Sequence, residues 1–145
     1  MNSRPVLYFN YLPSKQARGW ISMHLLDYLK IETTELSKEK VVLTMKIEDY
    51  HKQPYGVLHG GMNGILIETA CSLGANEQLD QDSYAAGIDL QINHLKSVVD
   101  GTLTVVATAD RIGQALQVWE GKIFNASGEL TAVGRCTLMS RKIKK

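Results

Sequence analysis

At 145 residues the chain has the length of one domain spanning 1–145. A domain of that size buries about 70% of its unfolded surface, so no disulfide or metal is expected to hold it together. With 44% hydrophobic residues, 21% charged residues and a formal net charge of +1, it is neither a disordered polyelectrolyte nor a bulk nucleic-acid binder. Two cysteines, Cys71 and Cys136, have no partners at metal-ligand spacing, which makes a reducing cytoplasm the expected compartment. No run reaches the ~18 apolar residues of a membrane helix, and Met1–Asn10 lacks the basic-then-apolar order of a signal peptide, so no membrane association is expected. The basic run Arg141–Lys145 is read as a solvated tail.

Residues 1–19 are irregular, broken by Pro5, Pro13 and Gly19. From Trp20 to Leu29, Ile21, Leu25, Leu26 and Leu29 fall near helical spacing and predict a short helix. Lys30–Leu36 reads as a strand and Ser37–Lys40 as its turn. Val41, Leu43, Met45 and Ile47 then alternate with Val42, Thr44 and Lys46, the pattern of a half-buried strand. A loop with Pro54 and Gly56 leads into a long helix over Gly60–Leu79. On that helix Met62, Leu66, Thr69, Ala70 and Leu73 share one side, and Gly61, Gly64, Glu68, Cys71, Ser72 and Ala75 the other. Strands follow at Tyr84–Leu95, Thr102–Arg111, Ala115–Phe124 and Glu129–Arg141, with Asn125–Gly128 as a hairpin turn. Helix, two strands, long helix and four strands predict an α+β fold in which an antiparallel sheet wraps one buried helix.

Chemistry concentrates in the run Gln53–Gly61, followed by Glu68 and Ser72. Two glycines opening a helix leave its first N–H groups unshielded at the positive end of the helix dipole, which suits a developing oxyanion. Glu68 is a lone carboxylate on an otherwise apolar or small-residue helix, costly to bury without a purpose; the alternative is that it simply faces solvent. Ser72 is one turn further, within reach of it. Gly60 and Glu68 are eight residues apart, about 12 Å along the axis. An oxyanion donor and an attacking group must both lie within about 3 Å of one reacting carbonyl, so one helix cannot supply both. Two antiparallel copies could, with Gly61, Gly64 and Ala75 permitting close approach, and a homodimer or dimer of dimers with equivalent sites is expected. Taken alone, Gly60-Gly61 is equally a tight entry turn, and His59 a helix-entry residue bonded to backbone. Cys71 has no activating histidine nearby and is read as a packed thiol. His51 and His94 read as surface or core-edge residues, and no role is attached to His24.

With these residues in view, the sequence resembles the hotdog-fold acyl-CoA thioesterases of the phenylacetate-pathway type. Lys52–Gly61 is similar to that family's signature loop, Glu68–Ser72 to its catalytic segment, and Gly87–Ser97 to the strand bordering its coenzyme A channel; Gln117–Trp119 and Ile123-Phe124 continue the likeness. The similarity runs from about Gln53 to the end and is specific for the family rather than for the acyl group. The resemblance implies a hotdog fold and an acyl-CoA substrate, with coenzyme A as part of the substrate and no cofactor or metal. It implies Glu68 as nucleophile or general base and the Gly60 N–H as donor to the thioester carbonyl. Gln53 would orient the carbonyl or the water, Ser72 would hold Glu68 or the water, and His59 would shape the loop. Gly87, His94, Lys96, Ser97, Arg111 and Gly113 would line the coenzyme A region, where Lys96 and Arg111 suit phosphates; read by themselves, these two are equally solvated strand-end charges. Gln114 stands where relatives often carry serine.

Two other classes compete. A hotdog dehydratase or hydratase needs an Asp and a His on the central helix, which offers only Glu68. A non-catalytic acyl-CoA sensor of transcription needs a DNA-binding module, for which residues 1–40 are too short and too little basic. Leu58, Met62 and Ile65 suggest an apolar pocket that suits aromatic or medium-chain acyl groups alike.

Overall fold

The structure is a computed structural model describing residues 24–143. In chain order its elements are α1 (Leu25–Tyr28), β1 (Ile31–Leu36), β2 (Val41–Lys46), a 3₁₀ turn (Asp49–His51), α2 (Gly60–Glu77), β3 (Ser83–His94), β4 (Thr102–Ile112), β5 (Leu116–Phe124) and β6 (Leu130–Lys142). The strands form one sheet in the order β1-β2-β4-β5-β6-β3, every neighbouring pair antiparallel. The sheet curls round α2, which packs against every strand, and this is the expected hotdog arrangement.

The core follows from the alternation. In β2, Val41, Leu43 and Met45 are buried while Val42 and Thr44 are half-exposed. Leu103, Val105 and Ala107 of β4, and Trp119 and Ile123 of β5, continue that inner face. They meet Met62, Leu66, Ile67, Ala70 and Leu73 of α2. Glycine sets how closely the helix sits. A Cβ on Gly74 would fall 2.4 Å from two carbons of the Trp119 indole, and one on Gly121 2.9 Å from Ile67. Around the indole the polar atoms are paired: the Trp119 N–H donates to Gln117 Oε1 at 2.9 Å, and the Gln117 amide donates to the Ala75 carbonyl at 3.1 Å.

Two expectations change. Of the helix read over Trp20–Leu29, residues 20–23 lie outside the described residues, and the rest is one turn, Leu25–Tyr28, with nothing buried, followed by Leu29, which packs into the core. Lys30 ends it at once by entering the left-handed region, φ 54°. The long helix stops at Glu77, two residues early, where the Gln78 and Leu79 N–H groups tighten onto the Ala75 and Asn76 carbonyls. Other boundaries differ by one residue. No helix among the described residues is long and apolar enough to cross a membrane.

Candidate active site

The loop before α2 is a small hairpin clamped on both sides. Gly56, at φ 81°, makes its turn; the Gln53 N–H bonds to the Val57 carbonyl at 2.9 Å, and Lys52 bridges Leu58. The Leu58 N–H donates to the Val98 carbonyl at 2.8 Å and the His59 N–H to the His51 carbonyl at 2.9 Å. His51 is itself anchored, 1% exposed, its Nδ1 accepting from the Glu48 N–H at 3.0 Å. Burial holds its imidazole below the ordinary histidine range. It is therefore a core residue that sets the loop, not a surface one.

At the helix start, His59 Nδ1 accepts from the Gly61 N–H at 2.9 Å, and the His59 carbonyl accepts from the Met62 N–H. His59 is thus an N-cap, its Nδ1 already engaged. The Gly60 N–H finds no acceptor among the described residues, as expected for a first-turn orphan. Gly60 opens into a cleft of about 320 Å³ shared with Gln53, Asn63, His94, Lys96 and Ser97. Leu58 borders the cleft, but Met62 is turned into the core. Lys96 is paired with Glu129 at 2.6 Å, and that ion pair holds the Glu129 carboxyl below the usual range.

Glu68 belongs to a second place. It is exposed on α2 and lies over β3, where a Cβ on Gly87 would be 2.8 Å from its Oε1. Asn76 pins β3 there, its Oδ1 accepting from the Ala85 N–H at 2.9 Å and its amide donating to the Ser72 carbonyl at 2.7 Å. Gly87 thus leaves room for the Glu68 carboxylate itself. Ser72 is half-buried, and no hydrogen bond joins its hydroxyl to Glu68. Cys71 and Ala75, read as sharing the Glu68 face, are fully buried instead, because the curled sheet covers more of the helix than a flat one would. Ala75 is therefore unavailable for helix–helix approach, while Gly61 and Gly64 remain accessible. Burial pushes the Cys71 thiol well above its ordinary range, and the Cys136 thiol up to about 11. Both are packed thiols.

Across the sheet, Arg111 pairs with Val118, Val118 with Thr137, and Thr137 with Asp89. Arg111 therefore lies level with Asp89, close to the level of Gly87. His94, next to Lys96, is five residues further along β3, about 16 Å away. Gly113 belongs to the β4–β5 turn: its N–H bonds to the Leu116 carbonyl, and a Cβ there would fall 2.7 Å from that oxygen. One chain thus divides the expected residues into two groups. Gln53, Gly60, His94, Lys96 and Ser97 gather at the cleft; Glu68, Ser72 and Gly87 gather about two helical turns away, with Arg111 and Gly113 at that end of the sheet. Asn63 was not anticipated. It is a buried polar residue whose partner, His94, is 31 residues away in sequence, so no local pattern marks it.

Comparison with known proteins agrees with this architecture. The thioesterase superfamily matches residues 55–132. A 1,4-dihydroxy-2-naphthoyl-CoA hydrolase of Listeria monocytogenes is 36% identical over 123 residues, covering 85% of this chain and 100% of that protein. An Escherichia coli protein of the same name is 27% identical, covering 79% of this chain and 84% of its own. The crystal structure of a thioesterase from Haemophilus influenzae superposes with a TM-score of 0.81 at 32% identity, covering 86% of this chain and 87% of that one. The chain belongs to the thioesterase superfamily and is a thioester hydrolase.

Proposed function

We propose that the protein hydrolyses an acyl-CoA with an aromatic or medium-chain acyl group, in a site assembled from two subunits. The observation that carries this reading is the division of the site: the Gly60 N–H and Glu68 lie about 12 Å apart on one helix, each among its own neighbours. In an antiparallel pair, the cleft of one subunit meets the Glu68 carboxylate of the other. The free edge of β3 favours such a pair. β3 is twelve residues long, is bonded only to β6 among the described residues, and carries one carboxylate, Asp89, and no lysine or arginine. The opposite edge, β1, is six residues long, bulged and carries two glutamates; long unprotected edges recruit partners.

In the proposed reaction the thioester carbonyl accepts from the Gly60 N–H, with Gln53 orienting it or the water. Glu68 attacks the carbonyl carbon, giving a mixed anhydride that water then opens, or takes a proton from the attacking water. Coenzyme A leaves as the thiol. Lys96 and Arg111 suit its phosphates, one from each subunit, since in one chain they lie far apart. The named relatives support an acyl-CoA substrate and make an aromatic acyl group the first to try. The test is steady-state hydrolysis of aromatic and aliphatic acyl-CoAs by wild type and Glu68→Gln. Glu68→Gln should lower kcat by about 10²–10⁴-fold while calorimetric binding of a non-hydrolysable analogue persists. A folded Glu68→Gln protein within a few-fold of wild-type kcat would refute the mechanism. Mixing Glu68→Gln chains with Gln53→Ala chains should return activity, because one site of each heterodimer regains both residues.

A further inference from the structure

We propose that Asn63 is a positioning residue: it fixes the His94 imidazole with its Nε2–H beside the Gly60 N–H, adding a second donor for the thioester carbonyl. The proposal rests on the acyl-CoA hydrolase reading. Asn63 is 6% exposed, on the first turn of α2, and its side-chain nitrogen lies 3.0 Å from His94 Nδ1. An amide nitrogen only donates, so Nδ1 must offer its lone pair, and the proton of the neutral ring sits on Nε2. The ring lies against the helix start. A Cβ on residue 60 would be 3.1 Å from His94 Cε1 and 3.3 Å from Nε2, so glycine is what lets the imidazole edge come this near the Gly60 backbone. Gly60, Asn63 and His94 all border the same cleft.

The backbone of His94 is fixed by pairing with Ala132 at the end of β3, which leaves the ring free to turn. Asn63 removes that freedom. Its presence has a cost, since Oδ1 is buried without a partner and such an atom typically costs about 1–3 kcal/mol. An apolar side chain would avoid it, so packing alone does not account for asparagine here. Two convergent N–H donors are what a developing oxyanion requires. With the amide reversed, His94 Nε2 would be an acceptor and would repel the same oxygen, so the tautomer decides the role.

The test uses full-length protein with ¹⁵N-labelled histidine. Long-range ¹H–¹⁵N NMR above the histidine titration range reads the tautomer, with His94→Gln identifying the signal among the four histidines. Wild type should show His94 protonated on Nε2. Asn63→Leu, which keeps the branched shape and removes the donor, should give a tautomer mixture. It should also lower kcat for benzoyl-CoA by about 10-fold to 100-fold, with KM within a few-fold. Asn63→Ala serves if the leucine variant does not fold. A wild-type His94 protonated on Nδ1, or Asn63 variants that keep both tautomer and kcat, would overturn the proposal. A tautomer that depends on Asn63 in a protein hydrolysing no acyl-CoA would uphold the positioning and defeat the hydrolase reading instead.

Discussion

Gly87→Ala probes the carboxylate end of the site without touching the carboxylate. The added Cβ would sit 2.8 Å from Glu68 Oε1, against an ordinary contact of about 3.5 Å or slightly less. The carboxylate must therefore withdraw by about 0.5 Å or more. A misplacement of about 1 Å can cost about 100-fold, so the expected loss in kcat is about 10-fold, or about 1.4 kcal/mol of transition-state stabilisation. Folding should not suffer. Gly87 does not occupy the left-handed region, the other close atom is Cys136 Sγ at an ordinary 3.9 Å, and the end of a glutamate side chain moves easily. Gly-to-Ala at a compatible site stabilises by about 0.4–1 kcal/mol, so Tm should hold or rise while kcat falls. Acyl-CoA kinetics and thermal unfolding on the same preparations separate these effects. In a Glu68→Gln background the substitution should change kcat no further. Wild-type kcat in Gly87→Ala, or a rise confined to KM, would show that Gly87 serves the substrate directly and does not seat Glu68.

Gly74→Ala makes the opposite comparison: its Cβ would meet the fully buried Trp119 ring at 2.4 Å, and the indole is held by its bond to Gln117. Denaturant unfolding should register a loss of about 1–3 kcal/mol, with kcat per folded molecule kept. Alkaline stability should follow the buried thiols. Cys136 ionises at about 11 when folded, raised from 9.0, so the unfolded chain loses that proton first and stability declines as pH rises from about 9 to 11; in urea titrations across that window Cys136→Ala should flatten the slope. Replacing Lys96 and Arg111 together by alanine should raise KM for acyl-CoA more than it changes kcat, and should affect a truncated pantetheine thioester much less; equal effects on both substrates would assign the two cations to packing.

Much of the fold was legible because it is written locally. Alternation along Val41–Ile47, β-branched runs after residue 83, and glycines opening a long apolar segment identify the elements and their order. Glu68 also stood out as a lone carboxylate in such a helix, and its distance from Gly60 is what led to the expectation of a second chain. The faces of that helix were read less well. A rule of 100° per residue assumes one buried side, whereas α2 is cradled by a curled sheet, so Cys71 and Ala75 turn inward beside residues assigned to the opposite face.

What the chain determines by itself is the inventory: which segments are helix or strand, which glycines permit close approach, and which side chains can carry the chemistry. Only the tertiary structure decides which of them meet. β4 enters the sheet between β2 and β5, and β3 passes to the far edge beside β6. That topology brings Gly87 beneath Glu68 and His94 against Gly60, and it seats the unanticipated Asn63 on the His94 ring. Those contacts join residues about 20 to 34 positions apart, where no periodicity operates; they arise because the helix and sheet have one way to bury their apolar faces together, and every polar contact is fixed by that choice.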